Sequence, residues 1–166
     1  MTKRTIAAAA LVCVLSGCAG LTRPASSPAA APVDQFLDQR GYEHALRTAY
    51  QDFAWPTGYR PNLARLAADS GPPPNARVQA GSEKMVLGMV NSCAWYLSWN
   101  TAHKTGRRTD AAHALDVMQH QLPALAPDQT AGRQLAEDIA RTAADDNSAP
   151  ALAFVRNNCS NIQWTG

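Results

Sequence analysis

Three side chains of the kinds that bind transition metals lie within one eight-residue stretch, at His113, Asp116 and His120. The spacing places all three on one side of a predicted helix, away from its apolar face. The two histidines are then about 10 Å apart along the axis, so one zinc ion with Zn–N distances of about 2.1 Å could use only Asp116 and His120. We therefore predict a solvated helix face that holds no metal and no other cofactor.

The motifs of the common catalytic machineries are absent from the chain. It contains no GxSxG, HExxH or CxxC motif and no glycine-rich phosphate loop. Glutamate occurs only at Glu43, Glu83 and Glu137, and no pair of carboxylates is marked out for acid–base work. The sequence thus favours a non-enzymatic domain that binds a partner or ligand. The alternative is an enzyme whose active site the sequence does not mark.

The most unusual side chains are the aromatic ones of the longest predicted helix. Trp95 and Trp99 fall opposite the apolar stripe that contains Val86 and Val90, and Tyr96 lies beside them. Such a helix is apolar almost all round. Either it is buried on both sides, or Trp95, Tyr96 and Trp99 form an exposed strip that binds an envelope protein, an apolar ligand or a glycan.

The first 17 residues have the layout of a secretory signal peptide. Lys3 and Arg4 precede an uncharged run, 6–15, that is rich in Ala, Leu and Val. As a helix this run rises about 15 Å, half of the roughly 30 Å hydrocarbon core of a bilayer, so it is too short to span one.

The signal ends in Leu15-Ser16-Gly17-Cys18, which resembles the bacterial lipobox. The resemblance implies cleavage before Cys18, a diacylglyceryl group on its sulfur, usually a third, amide-linked acyl chain such as palmitate, and membrane contact through this anchor. It also implies export to the cell envelope. Ala19 indicates the outer membrane in a Gram-negative source, and the outer face of the cell membrane is implied in a Gram-positive one. The alternative is an ordinary signal peptide that is cut near Cys18.

The middle of the chain carries a second resemblance. The segment Cys93-Ala94-Trp95-Tyr96 with Trp99, after an earlier Trp55-Pro56-x-Gly58, resembles small lipoproteins of high-GC bacteria. The resemblance covers about half of the mature chain and implies no activity and no site.

Charge and composition exclude some classes of partner. Loss of Lys3 and Arg4 with the signal leaves 13 basic and 13 acidic residues, so the mature chain is neutral and has no basic patch for nucleic acid. Leu, Ile, Val and Phe make up 23 of its 149 residues, while alanine is abundant. We infer a helical domain with close, alanine-lined contacts and a few aromatic anchors.

Two cysteines, Cys93 and Cys159, remain in the region that we expect to fold. An exported compartment permits disulfides, and two cysteines allow a single pairing. We predict a Cys93–Cys159 bridge, with two unpaired thiols as the alternative.

The organisation that follows is a signal peptide (1–17), a lipidated cysteine with a flexible Ala/Pro/Ser linker (18–32) and one domain (33–166). We predict an all-α bundle of four or five helices with one disulfide, plus a short helical segment over Asn62–Asp69. Ser82 is the expected N-cap of the central helix, Thr109 or Asp110 of the next, and Asp128 or Thr130 of the one after. Leu135 is expected to face inward, and no strand is predicted.

Overall fold

The structure is a computed structural model that describes residues 36–126 and 130–165. The signal peptide, Cys18, the linker and Asp128 lie outside these ranges. The described residues are mostly helical, which confirms the all-α class. The six helices are α1 (Gln39–Ala49), α2 (Leu63–Ser70), α3 (Ser82–Lys104), α4 (Arg108–His120), α5 (Thr130–Ala144) and α6 (Ala149–Asn158). Two short 3-10 helices, Tyr50–Asp52 and Leu122–Leu125, follow α1 and α4.

The first two helices begin at the polar residues that their sequences favour as caps. The Asp38 carboxylate accepts a hydrogen bond of 2.8 Å from the Gly41 N–H at the start of α1. The Asn62 side chain accepts one of 3.1 Å from the Arg65 N–H at the start of α2. Each bond satisfies a backbone donor that has no partner within its helix.

The start of α3 differs from the prediction. Gly81, not Ser82, is the N-cap, and its φ of 98° is in the left-handed region that favours glycine. The Glu83 carboxylate accepts a hydrogen bond of 2.8 Å from the Gly81 N–H, while the buried Ser82 Oγ has no partner among the described residues. Helix α3 therefore begins one residue earlier than a serine cap would place it.

Two further expectations about helix ends and faces are wrong. Helix α4 begins at Arg108, so Thr109 and Asp110 lie inside it and neither caps it. Leu135 on α5 is 49% exposed, whereas Ile139, one turn on, is buried. Ala140 and Ala143 are buried with Ile139, so the inward face of α5 follows helical spacing, and the part nearer its start, which carries Leu135, is left uncovered.

Helix α3 lies at the centre and packs on both sides. One core cluster joins it to the helices that follow, through Trp99, Val117 and Ile139 among others. A second cluster joins it to α1 around Tyr42 and Leu46. The helix is buried on two faces, and this explains why its sequence is apolar almost all round.

Four two-residue strands tie the loops to the bundle. β1 (Phe36–Leu37) pairs antiparallel with β3 (Val78–Gln79), and β2 (Arg60–Pro61) pairs antiparallel with β4 (Trp164–Thr165). Two residues are too few to show the alternation that identifies a strand, so the sequence did not predict them.

The Cys93–Cys159 disulfide is present, as predicted. The Cα atoms of the two residues are 6.0 Å apart, within the range usual for disulfides. Both half-cystines are buried, and the bridge joins the middle of α3 to the residue that follows α6.

In the described part of the chain, no helix combines the length and the apolar character needed to cross a membrane.

Candidate functional site

The three aromatic residues of α3 form no exposed strip. Trp95, Tyr96 and Trp99 are 4%, 1% and 2% exposed, so the helix is buried on both faces and the interpretation of an exposed binding surface is wrong. The indole N–H of Trp95 donates a hydrogen bond of 3.1 Å to the Ala54 carbonyl. The Trp99 ring stacks on His103 with ring centres 5.2 Å apart.

The polar residues of α4 face solvent, as predicted. His113, Asp116 and His120 are all exposed. His120 Nδ1 lies 3.1 Å from a carboxylate oxygen of Asp116, and the His113 ring meets Trp95 edge to face. Within residues 36–126 and 130–165, no group of three or more His, Cys, Asp or Glu side chains is placed to hold a metal ion.

The feature that stands out is an apolar groove of about 410 Å³. Five large hydrophobic side chains are exposed among the described residues, and four of them line this groove: Met85, Met89, Leu125 and Leu135. Phe36, the fifth, lies elsewhere. Single exposed hydrophobic residues are common on protein surfaces, but several that meet at one concavity usually mark a contact site. We define these four side chains and the space between them as the groove.

Three elements carry the four side chains that define the groove, and Phe154 and Asn158 of α6 also line it. Met85 and Met89 are four residues apart on α3 and therefore share one face. Leu125 ends the 3-10 helix after α4, and Leu135 lies on α5. Each side chain is thus presented by helical backbone rather than by a long loop.

Gly88 keeps the wall between the two methionines open. A Cβ atom added at this residue would lie 3.8 Å from the Leu125 Cβ, which is ordinary van der Waals contact. An alanine would fit here without strain, whereas a longer side chain would extend into the groove.

Two of the three polar side chains that line the groove donate hydrogen bonds within their own helices. Ser92 Oγ donates a hydrogen bond of 3.0 Å to the Gly88 carbonyl, and the Asn158 amide donates one of 2.9 Å to the Phe154 carbonyl. None of the described lining residues carries a charge. The walls therefore offer an apolar surface to a ligand.

Tyr96 lies deepest among the aromatic residues that line the groove. Its ring meets Phe154 edge to face, with ring centres 5.3 Å apart. Burial raises the pKa of its phenol above the ordinary value, because the charged form is poorly solvated there. In the described ranges its hydroxyl makes no hydrogen bond to protein. Tyr96 is thus an uncharged polar group at the groove whose hydroxyl has no protein partner among the described residues.

A smaller cleft of about 220 Å³ brings aromatic and charged residues together. Its charged side chains and its histidine, Arg107, Asp110 and His113, come from the start of α4. Tyr59, from the loop before α2, also lines it, and its hydroxyl is hydrogen-bonded to Thr101 Oγ1 at 2.9 Å. Arg107 donates a hydrogen bond of 3.0 Å to Asp110, so these two charges largely neutralise each other. Arg107, Asp110 and His113 are also exposed, and we take the larger groove as the stronger candidate site.

Sequence reasoning missed the groove because it treated each exposed hydrophobic residue separately. Leu135 was predicted to face inward, and no role was predicted for Leu125. The available signal was the Met85-x-x-Gly88-Met89 pattern, with two flexible apolar side chains on either side of a glycine.

Comparison with known proteins adds no relative: no protein-family model, no curated protein and no solved structure matches this chain.

Proposed function

We propose that this chain is an envelope lipoprotein whose helical domain binds the apolar chain of a lipid-like ligand in the groove. One observation carries the proposal: four of the five exposed large hydrophobic side chains in the described residues converge on a single concavity. Keeping them exposed lowers solubility and gains no packing in the free protein. A ligand that binds in the groove would bury these four side chains, which the fold leaves exposed to water.

The size and lining of the groove support a small ligand. Its volume of about 410 Å³ falls within the roughly 300–1,000 Å³ usual for small-molecule sites. Methionine side chains are unbranched and adapt to different shapes, so Met85 and Met89 suit a flexible chain better than a rigid ring system. The absence of charge among the described lining residues favours a hydrocarbon over a glycan.

The N-terminal sequence supports the location. The lipobox-like Leu15-Ser16-Gly17-Cys18 supports a position of the proposed binding domain at a membrane, where acyl lipids are concentrated. The protein would act as a tethered binding module, without chemistry of its own.

Displacement of a fluorescent probe tests the proposal. The mature chain with Cys18→Ser, which carries no acyl group of its own, is loaded with Nile red and titrated with methyl esters of increasing chain length. We expect displacement, with the Kd falling about fourfold for each added methylene until the groove is full, because each buried methylene contributes about 0.8 kcal/mol.

Two substitutions at one position give a matched comparison. Gly88→Leu fills the groove and should abolish displacement, while Gly88→Ala, whose Cβ fits against Leu125, should bind as the parent does. Alanine should also stabilise the helix by about 0.5–1 kcal/mol. Failure of the parent to bind any ester, or equal binding by Gly88→Leu, would overturn the proposal.

A further inference from the structure

The hydroxyl of Tyr96 is a polar group without a protein partner. The side chain is 1% exposed, and in residues 36–126 and 130–165 its oxygen neither donates nor accepts a hydrogen bond. Two other side-chain oxygens in these ranges, Ser82 Oγ and Asn100 Oδ1, also lack a hydrogen-bond partner, and both are fully buried. The Tyr96 oxygen is not fully buried, so it retains a small accessible surface.

Tyr96 is one of the lining residues of the groove, so the part of its side chain that remains accessible faces that cavity, and the rest is enclosed by the core cluster of α3 and its neighbours. A phenol in this position loses most of its hydration and gains no protein hydrogen bond, which costs free energy. A phenylalanine would pack in the same place without that cost, so the hydroxyl has a role other than packing.

The surroundings decide which ligand group the hydroxyl can recognise. No described lining residue supplies a positive charge, so a carboxylate brought here would be desolvated without compensation. A neutral phenol in an apolar site is a hydrogen-bond donor. Its natural acceptor is a neutral carbonyl oxygen.

Building on the function proposed above, we infer that Tyr96 donates the hydrogen bond by which the groove selects an acyl ester, with the hydrocarbon chain lying against Met85, Met89 and Leu135. The groove then recognises two features of one molecule, an apolar chain along its walls and an ester carbonyl at Tyr96.

The test compares two probes that share a chain and differ in the carbonyl: dodecane and methyl dodecanoate. Each probe is titrated into Nile red-loaded protein, once with the mature Cys18→Ser chain and once with the same chain carrying Tyr96→Phe, and the displacement of Nile red is measured. We expect Tyr96→Phe to weaken the ester about threefold to tenfold, the usual range for one neutral hydrogen bond, and to leave dodecane unchanged.

Tyr42→Phe is the matched control. Tyr42 is also buried, but its hydroxyl bonds Ser70 Oγ at 2.9 Å and it belongs to the other core cluster. It should change the affinity of neither probe. Thermal melting checks the fold, and Tyr96→Phe should melt no lower than the parent because it removes an unpartnered hydroxyl.

The outcomes separate this inference from the function on which it rests. If both probes bind and Tyr96→Phe affects them equally, the inference is overturned and the apolar groove stands. If neither probe binds the parent chain, the proposed function fails and the inference with it. If dodecanoate anion binds more tightly than its methyl ester, the groove recognises charge, and the role given to Tyr96 is wrong.

Discussion

Trp95 and Trp99 anchor the central helix against its neighbours. Both indoles lie in the core cluster that joins α3 to α4, and Trp95 also bonds the Ala54 carbonyl. The sequence predicted large apolar residues on two faces of one helix. It could not decide between burial and exposure, because that depends on which helices pack there.

Replacing either tryptophan by alanine should destabilise the fold strongly. We expect Trp95→Ala or Trp99→Ala to lower the free energy of unfolding by about 3–5 kcal/mol, because each leaves a large cavity in a close-packed core. Denaturant unfolding measures the loss. The control is His120→Ala at an exposed position of α4, expected within about 0.5 kcal/mol of the parent. Parent-like unfolding of either tryptophan variant would show that the indole is not a core residue.

At the scale of elements, the clearest sequence pattern is the apolar stripe of α1. Tyr42, Leu46 and Ala49 recur at i, i+4 and i+7, the spacing of one helix face, and all three are buried. The helix caps were less clear from the sequence. Gly81 replaces Ser82 as N-cap, and the Glu83 carboxylate accepts a hydrogen bond from the Gly81 N–H. Composition alone does not show which of these two caps, the glycine or the serine, is the more stable.

The disulfide joins two elements and should contribute much of the stability of a domain with few large aliphatic residues. It closes a loop with a sequence separation of 66, for which the chain-entropy model gives about 4 kcal/mol. The double variant Cys93→Ala/Cys159→Ala should lose about that much in denaturant unfolding. Reductant should lower the stability of the parent and leave the double variant unaffected. Equal stability of parent and double variant, or reaction of native thiols with an alkylating reagent, would contradict the expectation.

At the scale of the whole molecule, the sequence predicted the helical class and the disulfide. It did not predict the groove, which lies where α3, α5, α6 and the 3-10 helix after α4 come together. A site assembled from residues of several elements leaves no periodic signal in any one of them.

Attachment to the membrane is predicted to depend on Cys18. Mass spectrometry of the N-terminal peptide from membrane-extracted protein should show acyl chains on that residue, because the preceding Leu15-Ser16-Gly17 matches the lipobox pattern. Cys18→Ser should move the mature protein from the membrane fraction to the soluble fraction. A mature chain that retains an unmodified Cys18 would refute the anchor.

The position of the disulfide also has a topological consequence. Residues 93–159 form a covalently closed ring that contains α4, α5 and α6. The two leucines that define the groove, Leu125 and Leu135, lie inside that ring. The two methionines lie just before Cys93, on α3. A protease that cuts one peptide bond anywhere within the ring therefore opens it without dividing the molecule. The nicked protein remains a single covalent species that still carries every residue of the groove, and its two pieces separate only when the bridge is reduced.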